Sequence, residues 1–258
     1  VANDKTGPIV LLNSDAMVPA NWATRLTEPL SDPGVGSVTP MSNAAEILSV
    51  PAIGQGVALQ DGDVDYIDAV AKSLGSVPAP DLPTGVGFCM ALSRLWLARV
   101  PQLDPAFGRG YGEEVDWCQR TRALGARHLC QPRLFVEHSG GQSFGSAEKL
   151  LRIRAANGMI ARRYPGYDAD VQRFIANDPL ATPRLALAVA LAGQRKDRLA
   201  VFIAHSLGGG AETALMREVA ALGAAVILRV GGPKRWQVEV HVDGQCTAGQ
   251  ADDLELVH

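Results

Sequence analysis

Three short stretches carry side chains that can do chemistry. Asn13-Ser14-Asp15 follows the apolar run Pro8 to Leu12. This places a carboxylate at the carboxyl end of a strand, where open α/β sheets set their ligands. A carboxylate there can hold magnesium or manganese, hard cations that favour oxygen ligands and neutralise charge on a departing diphosphate. The same tripeptide also suits an ordinary Asx turn. Glu113, Glu114 and Asp116 form the second stretch, behind the glycine-rich loop Phe107 to Gly112. One of them can serve as general base for an acceptor hydroxyl. Glu113 and Asp116 share a helix face, and Glu114 points elsewhere. The competing account is a solvated helix end whose acids suit the positive dipole, with Asp116 paired to Arg120 one turn on.

The third stretch, Glu137-His138-Ser139-Gly140-Gly141, takes a histidine out of a strand into a glycine turn. A neutral imidazole there can complete a metal site with Asp15, or can simply be a hydrogen-bonded loop residue. His128, His205, His241 and His258 have weaker settings. Gly208 to Gly210 open a helix and can cradle a phosphate with backbone N–H groups, or only turn the chain tightly. Neither a GxGxxG fingerprint nor GxxxxGK[ST] occurs there.

The elements that must position these groups alternate between α and β. Pro8 to Leu12 is the kind of continuous apolar run found in buried parallel strands. Trp22, Leu26 and Leu30 fall at helical spacing, and Val35 to Val38 reads as the next strand. Residues 40 to 80 are rich in Ser, Gly, Pro, Ala and Asp, with one helical pattern around Val64 to Leu74, so they form a loop-dominated excursion. Such excursions often carry substrate contacts. Strand character returns over Pro83 to Leu92, and a helix of about three turns begins at Glu113 and stops at Gly125. Two short strands follow, near His128 to Cys130 and Leu134 to Glu137; Ser146 then caps a long basic helix that ends at Pro165. Asp178-Pro179 through Pro183 reads as a boundary. Beyond it, Arg198 to Ala204, Glu212 to Leu222 and Ala224 to Val230 form one βαβ unit.

The 258 residues are 47% hydrophobic and 20% charged, enough to bury a sizeable core in one large or two smaller domains. A net charge of -3, spread without long single-sign runs, gives no electrostatic case for nucleic acid. Cys89, Cys118, Cys130 and Cys246 are widely spaced and form no CxxC pair, which points to a reducing cytoplasm rather than a disulfide or zinc framework. The longest apolar stretch, Leu185 to Ala192, is about half of the roughly 20 residues that cross a bilayer.

Taken together and in order, VLLNSDAMVPANW, GSVTPMSNAA, PTGVGFCMALSR, LDPAFGRGYGEEVDWCQR and VEHSGGQSFG resemble the inverting family-two glycosyltransferases. The likeness is strongest to the rhamnosyltransferase-like branch that builds bacterial surface polysaccharides, and it covers roughly residues 8 to 180. It implies an α/β fold, the C-terminal half of a GT-A nucleotide-diphospho-sugar transferase domain over residues 1–180. A linker at 181–198 and a partial βαβ unit at 199–258 are expected to follow. The tail, VFIAHSLGGGAETALMREVAALG, resembles the opening βαβ of GT-B glycosyltransferases. The nucleotide-binding strand–helix units of a whole GT-A domain would precede Val1, and the sheet edge left there favours pairing with a second copy, so a homo-oligomer is expected.

The resemblance also implies roles. Asp15 would contact metal and diphosphate, with Asn13 in place of the motif's first acid; His138 would join the manganese or magnesium site. Glu114 would be the base and Glu113 an acceptor-side contact, with Asp116 beside them in donor or acceptor binding or in support. Gly85 would lie against the sugar. The implied reaction is a single in-line displacement by an acceptor hydroxyl on a nucleotide-sugar donor, with inversion. The implied acceptor is a glycan or lipid-linked molecule, handled in the cytoplasm, with peripheral association at the inner membrane face. A non-catalytic carbohydrate- or partner-binding module on the same scaffold is the alternative, because fold does not fix function. A two-metal phosphohydrolase using Asp15 and His138 would need a second dense ligand cluster, which the sequence lacks.

Overall fold

The computed structural model describes residues 7–75, 77–108, 111–142 and 147–250. The first half is a four-stranded mixed sheet. Its central strand β3 (Val35–Met41) is buried along its whole length, as a strand covered on both faces must be. It pairs in parallel with β5 (Arg127–Phe135) and antiparallel with β4 (Cys89–Leu92), which in turn pairs antiparallel with β1 (Ile9–Leu12). The order is therefore β1-β4-β3-β5. This corrects the expectation for residues 8–12: the run is a half-buried antiparallel edge strand. A four-residue apolar run carries no record of its partner's direction, which only the pairing decides.

Two further strands are very short. β2 (Ala16–Met17) pairs with β6 (Glu137–His138), joining the turn after β1 to the chain after β5. Around the sheet lie α1 (Trp22–Thr27), α2 (Asp63–Ser73), α3 (Arg94–Arg99) and α4 (Glu113–Arg122). They are followed by α5 (Ala147–Arg163) and α6 (Tyr167–Asn177). Ser146, expected to cap α5, lies outside the described residues. The excursion after β3 is less open than its composition suggests: Ala45, Ile47, Leu48 and Val50 are all buried in the main core.

Residues 181–198 are not an extended linker. Helix α7 (Ala181–Arg195) packs one side on α2 and the other on a second sheet, and it buries Leu187, Ala188, Leu191 and Ala192. Pro183 misleads as a breaker because it stands in the first turn, where a helix has no use for its missing N–H. Arg184 is 1% exposed and anchors the helix, donating to the carbonyls of Ile47 and Ser49 and to the Asp178 carboxylate. The tail likewise exceeds one βαβ unit. After β7 (Ala200–His205), α8 (Gly210–Leu222) and β8 (Ala224–Gly231), the chain continues into the antiparallel strands β9 (Gln237–Val242) and β10 (Gln245–Gln250). The sheet order is β10-β9-β8-β7, and Val226, Val240 and Val242 join the same core as Leu187 and Leu191.

Candidate active site

The structure brings Asp15, Asn13 and His138 together. The two-residue ladder sets Ala16 opposite His138, and the Ser139 amide donates to the Asp15 carbonyl at 3.1 Å. His138 Nε2 stands 3.6 Å from Asp15 Oδ1 and 3.3 Å from Asn13 Nδ2. Its other ring nitrogen, Nδ1, lies 2.7 Å from the Ala44 carbonyl. A carbonyl only accepts, so Nδ1 carries the proton and the Nε2 lone pair accepts from Asn13 Nδ2, with the Asp15 carboxylate beside it. Metal-binding histidines are oriented by such a second bond. Asn43, 3% exposed, holds the His138 main chain: its Oδ1 accepts from the His138 amide at 2.8 Å and its Nδ2 donates to the His138 carbonyl at 3.2 Å. The Phe88 ring stacks on the imidazole with centroids 5.0 Å apart.

Gly140 closes this half of the site. A Cβ there would sit 2.4 Å from Asp15 Oδ2 and 3.0 Å from His138 Nε2, so only a bare backbone fits over the pair. One carboxylate and one imidazole suit a manganese or magnesium ion that takes its remaining ligands from water and a diphosphate. Among the described residues, no group of three or more His, Cys, Asp or Glu side chains gathers to hold a metal alone. The residues present therefore fit a cation shared with a phosphate ligand rather than a closed structural site.

Glu114 lies against Gly87. A Cβ at Gly87 would stand 3.7 Å from the Glu114 carboxyl carbon, and the next residue is the Phe88 that stacks on His138. Burial is the main cause that pushes the Glu114 carboxyl up to about 7, and the negative charges of Glu113 and Glu46 add to it. The N–H groups of Gly112 and Glu114 at the helix start oppose that rise in part. The Glu114 Oε2 atom is buried without a hydrogen-bond partner among the described residues. A carboxylate with that poise and an unfilled acceptor is what a general base at neutral pH requires.

The neighbouring acids do other work. Glu113 turns back and accepts from the Tyr111 amide at 2.7 Å, closing the loop before α4. Asp116 is 0% exposed and accepts from Arg120 Nε, Arg163 Nη1 and the Tyr164 hydroxyl, each at 2.7 Å. Of the two roles that the resemblance leaves to it, donor or acceptor binding or support, its contacts are those of support: it is a buried clamp between α4 and the end of α5, with the Arg120 partner that helix spacing expects. Gly85 is also turned inward: its amide donates to Cys118 Sγ at 3.3 Å, and a Cβ would strike Met90 Cε at 2.7 Å. Gly87, not Gly85, is the glycine beside the Glu114 carboxylate. His128 is a core residue held by Ser37, Thr121 and the Cys118 carbonyl, and burial lowers it to about 4, so it is neutral.

Sequence reasoning gave no role to Asn43, Phe88 or Gly140, although each lies in a phrase that carries the resemblance. What they do is set by contacts that the fold makes: Asn43 and Phe88 meet His138 from 95 and 50 residues away along the chain, and Gly140 lies over Asp15. A cleft of about 670 Å³ opens elsewhere, lined by Arg25, Lys72, Arg127 and Arg133 among others, and none of the residues above lines it. Its cations are engaged: Arg25 and Lys72 pair with Asp68, Arg127 pairs with Asp32, and Arg133 donates to the Lys72 carbonyl.

No protein-family model matches the chain, and no curated protein matches it. Among solved structures it is similar to the mannosyltransferase PcManGT from Pyrobaculum calidifontis, in complex with GDP-Man and Mn2+. That match has 18% identity and a TM-score of 0.40 and covers 84% of this chain and 55% of that one. It is also similar to GalNAc-T7 with UDP, GalNAc and Mn2+, at 16% identity and a TM-score of 0.39, covering 59% of this chain and 31% of that one. The chain thus spans about half and about a third of the lengths of these two proteins. Both likenesses are low, and the functional reading stands on the site itself.

Proposed function

We propose that this chain carries the metal-binding and acceptor-side half of a glycosyltransferase that uses a nucleotide-diphosphate sugar. The observations that support the reading are the Asp15–His138 pair, stacked on Phe88, and the raised, partly orphaned Glu114 against Gly87, the residue before it. In this reading Asp15 and His138 hold a manganese or magnesium ion, which when bound offsets the charge that builds on the leaving diphosphate. Glu114 takes the proton of the acceptor hydroxyl. That oxygen attacks the anomeric carbon as the carbon–oxygen bond to the phosphate breaks, and the bonding electrons leave with the diphosphate. Attack opposite the leaving group inverts the anomeric centre. Free thiols at all four cysteines support a reducing compartment.

Asp116 and Glu113 serve this arrangement indirectly by fixing the start of α4, from which Glu114 projects. The test is release of nucleoside diphosphate from UDP-, GDP- and dTDP-sugars with manganese and a mixed pool of glycan acceptors. The expected result is metal-dependent release from at least one donor, reduced at least about a hundredfold in Glu114→Gln. Release that is equal in the variant would remove Glu114 from the reaction, and binding of nucleotide without any release would assign the scaffold to a binding module.

A further inference from the structure

This inference rests on the reading of Asp15 and His138 as a cation site, and it concerns what makes the histidine fit to bind. His138 belongs to β6, a strand of two residues whose ladder with β2 is equally short. So short a ladder fixes the direction of a side chain poorly unless another group holds the main chain.

The Asn43 side chain is that group. Its Oδ1 accepts from the His138 amide at 2.8 Å and its Nδ2 donates to the His138 carbonyl at 3.2 Å, the two bonds that a residue of a neighbouring strand would make. Nδ2 also donates to the Val57 carbonyl at 2.8 Å, and Oδ1 also accepts from Ser42 Oγ at 3.3 Å. A primary amide has two donors and two lone pairs, and here all of them are used. Its orientation is fixed by chemistry: turned over, the oxygen would face two carbonyls and the nitrogen an N–H. Asn43 is itself anchored, since it is 3% exposed and its own carbonyl accepts from the Val57 amide at 3.2 Å.

The next residue governs the ring. The Ala44 carbonyl accepts from His138 Nδ1 at 2.7 Å, and the Ala44 amide donates at 3.3 Å to the same Ser42 hydroxyl that reaches Asn43. Consecutive residues therefore hold the main chain of His138 and select its tautomer. We infer that Asn43 is a positioning residue for the cation site: it holds the His138 backbone where Nδ1 meets the Ala44 carbonyl, which leaves Nε2 unprotonated beside Asp15. It acts through the histidine and touches neither cation nor substrate. The amide is essential to this role. An aspartate of the same shape has no N–H for the His138 and Val57 carbonyls and sets a buried charge against them.

Two readouts on the whole chain test this: long-range 1H–15N spectra of the metal-free protein at pH 8, which report the tautomer of each histidine, and calorimetric titration with manganese. The His138 signal is assigned by its loss in His138→Gln. The wild type should carry the proton on Nδ1. In Asn43→Ala and Asn43→Asp the Nε2–H form should appear, and manganese should bind about tenfold to a hundredfold more weakly. Ser42→Ala removes only one of the bonds to Oδ1 and should shift both readouts the same way by less, which keeps the test open if neither Asn43 variant folds. A residue that only stabilises the fold would lower the melting temperature and leave the tautomer and the manganese affinity of the folded protein unchanged. An Nε2–H tautomer in the wild type, or Nδ1–H retained in every folded variant, overturns the inference. Absence of manganese binding in the wild type overturns the cation reading instead, and the tautomer, read without metal, judges Asn43 separately.

Discussion

Replacing Glu114 by glutamine should make the protein more stable at pH 8 than the wild type, and only slightly so at pH 5. The Glu114 carboxyl sits at about 7 in the folded chain against an ordinary value of 4.5, chiefly because ionising it strands charge in a buried position. Between those values the folded state holds more of this proton than the unfolded state does, so stability falls as pH rises. The contribution is complete below the unfolded value and is lost as pH passes through the folded one. With about 1.4 kcal/mol for each pH unit of separation, the wild type carries a penalty of about 1 kcal/mol at pH 5 and about 3 kcal/mol at pH 8. Glutamine keeps the shape of the side chain and removes the charge. Urea unfolding of both proteins at the two pH values should show the variant's advantage growing by about 2 kcal/mol. An advantage that does not change with pH would refute the burial argument, and with it the poise that makes Glu114 a base.

Gly140→Ala places a methyl group 2.4 Å from Asp15 Oδ2 and should weaken manganese binding about tenfold to a hundredfold, read by calorimetry, with a far-UV spectrum like the wild type's. Asp116→Asn removes the buried charge that holds Arg120, Arg163 and Tyr164. The two guanidinium groups are 34% and 38% exposed, so screening trims the loss. It should come to about 2 kcal/mol, a fall of roughly 4–8 °C in melting temperature. A melting temperature unchanged within a degree would mean that the clamp contributes nothing to stability.

What could be read from the sequence divides along physical lines. Helix α4 was legible because glycine, acids and the apolar Val115, Trp117 and Cys118 all act within one helix. The unit β7–α8–β8 was legible for the same local reason. The pairing of Asp15 with His138 followed only from the order of motifs, since a ladder of two residues leaves no periodic trace. The turn at residues 45 to 50 was invisible: its surroundings are rich in polar and small residues and read as open loop, while Ile47, Leu48 and Val50 in fact enter the core. Helix α7 is hidden in the sequence because Asp178-Pro179 and Pro183 look like a boundary, whereas Pro183 fits the first turn. The hairpin of β9 and β10 carries a local signal of its own. Asp243-Gly244, at φ of 50° and 79°, follows the alternating Val238, Val240 and Val242, and Asp-Gly in such a setting is a strong two-residue turn signal.

The central claim is that Asp15 and His138 share a cation with a nucleotide diphosphate. Calorimetric titration of manganese into this chain and into Asp15→Ala, each with and without UDP or dTDP, addresses it most directly. The account predicts that manganese and nucleotide strengthen each other's binding in the wild type, and that this coupling disappears in Asp15→Ala. Nucleotide binding that ignores manganese, or coupling that survives in Asp15→Ala, would contradict it.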